Sequence, residues 1–138
     1  MDSPATSILV IDDEESICFA FRRYFQQRRC RVEVAATGRD GLARFRELRP
    51  DVVFLDIRLP DANGLDVLDE IRLADPQACV IVITAYGTLD TVTRAIRGKA
   101  FDHLVKPVDL DRAAELVAEA LASQSAGAAA VTPPDGDA

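Results

Sequence analysis

The chain has little histidine, little cysteine and no surplus of positive charge. Its 138 residues include one His and three Cys, and 16 basic residues face 23 acidic ones, for a net charge of -7. Each shortage excludes something. An acidic chain has no basic face with which to neutralise phosphates, so direct nucleic-acid binding is not expected. The same sign disfavours docking on anionic membranes. Cys18, Cys30 and Cys79 lie far apart and form no C-x-x-C, and a single His leaves a zinc site short of ligands. The cysteines read as small apolar filler in a reduced compartment. No apolar run approaches the ~18 residues of a membrane helix. Met1 to Ser7 have neither the basic start nor the apolar core of a signal peptide. The expected location is cytoplasmic. The glycines Gly38, Gly41, Gly64, Gly87 and Gly98 are isolated, so neither a P-loop nor a dinucleotide fingerprint is supported.

What is present is an alternation. A hydrophobic content of 49% is ample for the core of one domain. Ile8 to Ile11 is an apolar run that ends at Asp12 and Asp13, Val52 to Leu55 ends at Asp56, and Cys79 to Ile83 ends at Thr84. Unbroken apolar runs of this length read as strands buried on both faces. Residues 31–36 read as a more exposed strand, and residues 101–105 as a short one before Lys106 and Pro107. Between them apolar residues recur at helical spacing. Ile17, Phe21, Tyr24 and Phe25 mark one helix, and Leu42, Phe45 and Leu48 a second. Leu65, Leu68, Ile71 and Leu73 mark a third, Val92, Ala95 and Ile96 a fourth, and Leu116, Val117, Ala120 and Leu121 a fifth, opened by Asp109 or Asp111. The expected fold is α/β: a five-stranded parallel sheet with helices on both faces. Residues 1–6 read as a disordered lead, 7–122 as the folded domain, and 123–138 as a flexible tail or the start of an interdomain linker.

Right-handed crossovers place every strand's C-terminal end on one edge, where open α/β sheets bind ligands. Asp12, Asp13, Asp56, Thr84 and Lys106 all lie at or just past such ends. Carboxylates held close repel unless something offsets them. A hard divalent cation with oxygen ligands does so, and magnesium suits a site of few carboxylates, several waters and a phosphate oxygen. A carboxylate so held can act as nucleophile towards phosphorus and form an acyl phosphate. The ammonium of Lys106 and the hydroxyl of Thr84 could then each take an oxygen of the transferred group.

The ordered set Val10-Ile11-Asp12-Asp13-Glu14, Asp56-Ile57-Arg58-Leu59-Pro60 with Gly64, Thr84-Ala85-Tyr86, and Lys106-Pro107 resembles the receiver domains of two-component response regulators. The resemblance covers about residues 7–122. It implies a flavodoxin-like (βα)5 fold and makes Asp56 the acceptor of phosphate from a sensor histidine kinase or a histidine phosphotransfer protein. It implies Mg2+ held directly by Asp13 and Asp56, by Asp12 largely through water, and by the backbone carbonyl of Arg58. Thr84 and Lys106 would hold the phosphoryl oxygens. Thr84, His103 and Pro107 would form the switch, acting on the face made by the fourth helix, fifth strand and fifth helix. His103 stands where the family commonly has Tyr or Phe. A catalytic or metal role and passive packing remain alternatives for it. Lys99 stands where many relatives carry Gly, with Gly98 as the candidate for a left-handed helix end.

The run from Thr84 to Thr88, together with Ala100 to Pro107, looks most like receivers of sigma-54-dependent enhancer-binding activators. That implies control of transcription through an output domain not contained in these residues. The alternative is a stand-alone receiver that acts by protein–protein contact or in a phosphorelay. A phosphorylation-dependent homodimer is a further expectation. The chain is not expected to be an enzyme in its own right. A phosphatase of the haloacid-dehalogenase type would want an Asp where Arg58 stands, and the acid-rich first loop would repel a flavin phosphate. Intact Asp56, Thr84 and Lys106 argue against an unphosphorylated docking module.

Arg58 and Tyr86, two residues past Asp56 and Thr84, are large enough to shield an acyl phosphate from water. Slow self-dephosphorylation is therefore expected. An Arg58→Ala/Tyr86→Ala double variant should lose phosphate faster than the wild type, and equal loss rates would discard the idea.

Overall fold

Every apolar run forms a strand and every segment of helical period a helix. The structure, a computed structural model, describes residues 5–85 and 89–129. In chain order the elements are β1 (Thr6–Ile11), α1 (Glu15–Gln26), β2 (Cys30–Ala35), α2 (Gly38–Leu48) and β3 (Val52–Asp56). There follow α3 (Gly64–Ala74), β4 (Val80–Thr84), α4 (Leu89–Arg97), β5 (Asp102–Val105) and α5 (Leu110–Ala129). The strands make one parallel sheet in the order β2-β1-β3-β4-β5. This is the expected flavodoxin-like arrangement. All residues of β3 and β4 are buried, as unbroken apolar runs require, whereas β2 at the edge alternates.

Successive strand residues face opposite ways, so each strand feeds two cores. On one side Ile8, Val10, Phe54, Ile81 and Ile83 meet Phe21 and Phe25 of α1 and Leu116 of α5. On the other, Leu9, Ile11, Val53, Leu55 and Val82 meet Phe45 of α2, Leu68 and Ile71 of α3 and Ala95 of α4. The ring of Phe21 lies 4.8 Å from that of Phe54, and Phe25 lies 6.0 Å from it. This aromatic cluster seats α1 on the central strand two residues before Asp56.

Several local expectations are corrected. Leu73 and Ile96 point away from the core, 85% and 67% exposed. In α3 the stripe through Leu65, Leu68 and Ile71 already fills the sheet-facing side, and in α4 Ala95 does so. The left-handed residue before β5 is Lys99, with φ 63°, and not Gly98. Gly98 is small for another reason: a Cβ there would meet Leu68 Cδ2 at 2.7 Å. Strand β2 begins and ends one residue earlier than expected, at Cys30–Ala35. The side chain of Asp109 accepts from the N–H of Asp111 and of Arg112 and so caps α5, settling the choice left open between Asp109 and Asp111. That helix does not stop at residue 122 but continues through Ala129, in keeping with the high helix propensity of its alanines. Residues 130–138, like 1–4 and 86–88, lie outside the described residues.

The loop after β3 is fixed by backbone contacts. The Gly64 N–H donates to Ile57 O, Leu59 N–H to Ala62 O, and Arg58 pairs with Asn63 across the turn. Asp61 reaches outward and accepts from the N–H of Gly38 at 2.7 Å and of Arg39 at 3.0 Å, capping α2. Those bonds hold its carboxyl below the usual carboxylate range. A Cβ on Gly64 would meet Asp56 O at 2.1 Å and Ile57 Cα at 2.7 Å, both backbone atoms that cannot swing aside. Gly64→Ala is therefore expected to destabilise the domain by about 2 kcal/mol or more. Urea unfolding with an unchanged m-value checks this, and an unaltered midpoint would contradict it.

Candidate functional site

The parallel register brings the expected residues to one edge. Asp12 follows β1, and its N–H donates to Ala35 O of β2 at 2.9 Å. Asp56 ends β3, paired with Ile83, and the next residue donates its N–H to Ile83 O. Thr84 ends β4, paired with Val105, and the N–H of Lys106 donates to Thr84 O at 2.8 Å. The sheet ladder thus sets the spacing of Asp12, Asp56, Thr84 and Lys106. Pro107 follows Lys106 through a cis peptide bond.

The ammonium of Lys106 sits at the centre. It donates to Asp56 Oδ2 at 3.1 Å and to Glu14 Oε1, and lies 3.2 Å from Asp12 Oδ2. Asp12 and Asp56 are buried, and the Lys106 side chain is only 14% exposed. Asp12 Oδ1 accepts the Glu14 N–H at 2.9 Å, and Asp56 Oδ1 accepts the Arg58 N–H at 3.1 Å. Asp12 Oδ2 is buried and makes no hydrogen bond of good geometry, its contact with Lys106 being an ion pair. Burial, helped by the charge of Asp56, pushes the Asp12 carboxyl up from 3.8 to about 6, against the Glu14 N–H and the Lys106 charge. Burial alone would lower the Lys106 ammonium, but its hydrogen bonds to Glu14 and Asp56, with the charges of Asp12 and Asp56, raise it above its ordinary value. Lys106 is therefore a permanent cation at neutral pH.

Asp12, Asp13 and Asp56 each offer a carboxylate oxygen within 4.8 Å of the others, two from buried residues and one from exposed Asp13. Three hard oxygen-donor carboxylates, one of which, Asp12, carries an orphaned buried oxygen, fit a divalent metal ion. Of the three, the chain's own cation hydrogen-bonds Asp56 and pairs with Asp12.

His103 lies elsewhere. On β5 it pairs with Val82, and its Nδ1 is 3.5 Å from Asp102 Oδ1. It lines a shallow cavity of about 280 Å³ with Val92, Ala95, Ile96 and Phe101. Among the described residues it joins no metal-ligating group, so the arrangement lends no support to a metal role. Tyr86 lies outside the described residues. Cys18 donates its thiol to Asp12 O at 3.2 Å, and burial, together with the charge of Asp12, pushes it up to about 11. Cys79 is likewise raised to about 11 by burial. Both stay protonated, as filler should.

Sequence reasoning placed Glu14 among the acids at the start of the first helix and gave it no part in the site, whereas the structure places it on Lys106. The available signal was its position directly after Asp12-Asp13.

The chain matches the family model described as a response regulator receiver domain over residues 8–118. It is 37% identical to the regulatory protein AtoC of Escherichia coli (strain K12) over 118 residues, 86% of this chain and 26% of that protein. It is 35% identical to the transcriptional regulatory protein ZraR of Klebsiella oxytoca over 122 residues, 88% of this chain and 28% of that protein. The chain thus spans about a quarter of the length of these curated relatives. The crystal structure of a response regulator receiver domain protein from Clostridium thermocellum superposes with a TM-score of 0.82 at 32% identity, covering 87% of this chain and 97% of that one. Sheet order, clustered carboxylates and sequence all agree: the chain belongs to the response regulator receiver domain family and is a receiver domain of a two-component response regulator.

Proposed function

We propose that Asp56 accepts a phosphoryl group from the phosphohistidine of a sensor kinase or a histidine phosphotransfer protein, in a magnesium-dependent step. The observation that carries this is the Lys106 ammonium held on Asp56 and Asp12 beside three convergent carboxylates. An Asp56 carboxylate oxygen forms the new bond to phosphorus, the donor's N–P bond breaks, and the leaving imidazole keeps the electron pair and takes up a proton. Asp12, Asp13, Asp56 and the Arg58 carbonyl would hold the Mg2+, which when bound neutralises charge on the transferring oxygens. Lys106 offers a second cation and Thr84 a hydroxyl donor to the same group. One phosphoryl per chain is retained, so the domain is a stoichiometric acceptor rather than a turnover enzyme.

The added charge then acts on the switch residues Thr84, His103 and Pro107 and on the face of α4, β5 and α5. That face carries exposed Ile96, Phe101 and Val105 beside Arg112, which bonds Glu115 and Glu119. An apolar centre with a charged rim suits a homodimer or an output domain. Exposed Phe19 with Arg22 and Arg23 on α1 suits the kinase side. The names and greater length of the relatives support control of transcription through an output domain. Among the described residues no helix is long and apolar enough to cross a membrane, which agrees with a cytoplasmic partner of a kinase.

Incubation with acetyl phosphate and magnesium should add one phosphoryl mass to the intact wild type. It should add none to Asp56→Asn or in the presence of a chelator. An unmodified wild type, or equal labelling of Asp56→Asn, would reject Asp56 as acceptor.

Asp12 supplies a second test. Its folded-state value, about 6, lies above the ordinary 3.8. Without metal its contribution to stability is complete below about pH 4 and is lost as pH rises through about 6. Metal-free Asp12→Asn should therefore be more stable than wild type at about pH 7.5, by about 1–3 kcal/mol. It should also gain less from magnesium. Urea unfolding at about pH 5 and about pH 7.5, with and without magnesium, reads both effects. A metal-free Asp12→Asn variant that is no more stable at the higher pH would contradict the assignment.

A further inference from the structure

Glu14 stands at the start of α1. It occupies the N-cap position, in extended backbone, yet its side chain makes no capping hydrogen bond. The carboxylate instead crosses to Lys106, 92 residues away in sequence. An ammonium has three N–H donors. Glu14 takes one and Asp56 another, while buried Asp12 Oδ2, 3.2 Å away, receives no hydrogen bond. Of the three carboxylates around Lys106, Glu14 is the half-exposed one, at 52%, against 0% for Asp12 and 6% for Asp56. It is the partner that water can most readily replace.

We propose that Glu14 is a positioning residue that competes with the phosphoryl group for the Lys106 ammonium. This rests on the reading of Asp56 as phosphoacceptor. A phosphoryl group on Asp56 brings new acceptor oxygens towards the ammonium, and although one Lys106 N–H is not engaged by Glu14 or Asp56, the charge of Glu14 holds the ammonium on its own side. Glu14 carries the same sign of charge as the incoming group and gains nothing from it. Its hold on Lys106 therefore sets part of the cost of reaching the phosphorylated arrangement. Removing that hold should favour the arrangement without any change in the acceptor, the metal ligands or Thr84.

Beryllofluoride, which mimics a phosphoryl group on a carboxylate, supplies a probe that needs no kinase. Its binding at saturating magnesium can be read by fluorine NMR in the wild type, Glu14→Gln, Glu14→Asp, and each with Lys106→Met. Glu14→Gln is expected to bind about threefold tighter or more, the scale of a half-exposed ion pair. Glu14→Asp keeps the charge but is one methylene too short for the contact, so it should also bind tighter than wild type. The gain from Glu14→Gln should vanish beside Lys106→Met. Unchanged affinity in Glu14→Gln overturns the proposal, and so does a Glu14→Asp protein that matches wild type, which would make charge alone responsible. A gain that persists beside Lys106→Met overturns it equally. Where Lys106→Met abolishes binding altogether, the Glu14→Asp comparison decides. A wild type that fails to bind beryllofluoride removes the acceptor reading itself, an outcome distinct from all of these.

Discussion

Parallel strands that end at one edge push like charges together, and the Lys106 ammonium is what the chain itself supplies to hold them. Asp12 and Asp56 stand on neighbouring strands with their side chains out of water, and Glu14 leans in from the start of α1. Two unit charges about 4 Å apart interact by about 4 kcal/mol at the effective dielectric of a protein surface. Such repulsion is large beside the 5–15 kcal/mol that typically holds a domain folded (about 10 kcal/mol in round terms). A cation at 3.1–3.2 Å from both buried carboxylates offsets much of it. Lys106 can stand there because the β4–β5 ladder anchors its backbone to Thr84 O.

The arrangement makes sense only as a site, because a chain selected for stability alone would not keep it. Asp12 is buried, retains an oxygen without a hydrogen bond and is pushed towards protonation by its surroundings. Every one of those features is a cost in the metal-free protein and an advantage once a cation arrives. The rest of the fold absorbs the cost: two continuous cores, an aromatic cluster that fixes the central strand, and a β3–α3 loop braced by Gly64 and Asp61. Local rules broken at one place and obeyed elsewhere are the pattern expected of function.

The strands and the acidic edge were legible because both follow from one-dimensional signals. An unbroken apolar run reads as a buried strand, and where it stops at Asp56 or Thr84 the strand's C-terminal end is fixed. What was not legible depends on side chains reaching across the fold. Glu14 is an ordinary helix-start acid until β5 delivers Lys106 to it. Ile96 and Leu73 satisfy an apolar count, but the angular phase of a short helix on the sheet decides which residues turn inward. Lys99, and not its glycine neighbour, takes the left-handed turn, and Gly98 instead lies close against Leu68, contacts that no local pattern announces. Arg72 gave no signal at all. Its guanidinium gathers the carbonyls of Pro76, Ala78 and Lys99 at 3.1, 2.6 and 2.8 Å, with those of Asp75 and Gly98 at longer range.

That Arg72 hub ties two connections of the fold together. It clamps the chain between α3 and β4 to the segment leaving α4, at the sheet edge remote from Asp56. Elsewhere on α4, Ala95 enters the core and Arg94 bonds Asp66, in the first turn of α3, at 2.6 Å, while Gly98 just beyond the helix rests on Leu68. Among the described residues Ala95 is the one fully buried side chain of α4, whereas α3 buries five residues. In chain order α4 follows β4, which ends at Thr84. With one fully buried side chain among its described residues, α4 contributes less to the core than α3 does, and it borders the surface where Ile96 and Phe101 lie exposed.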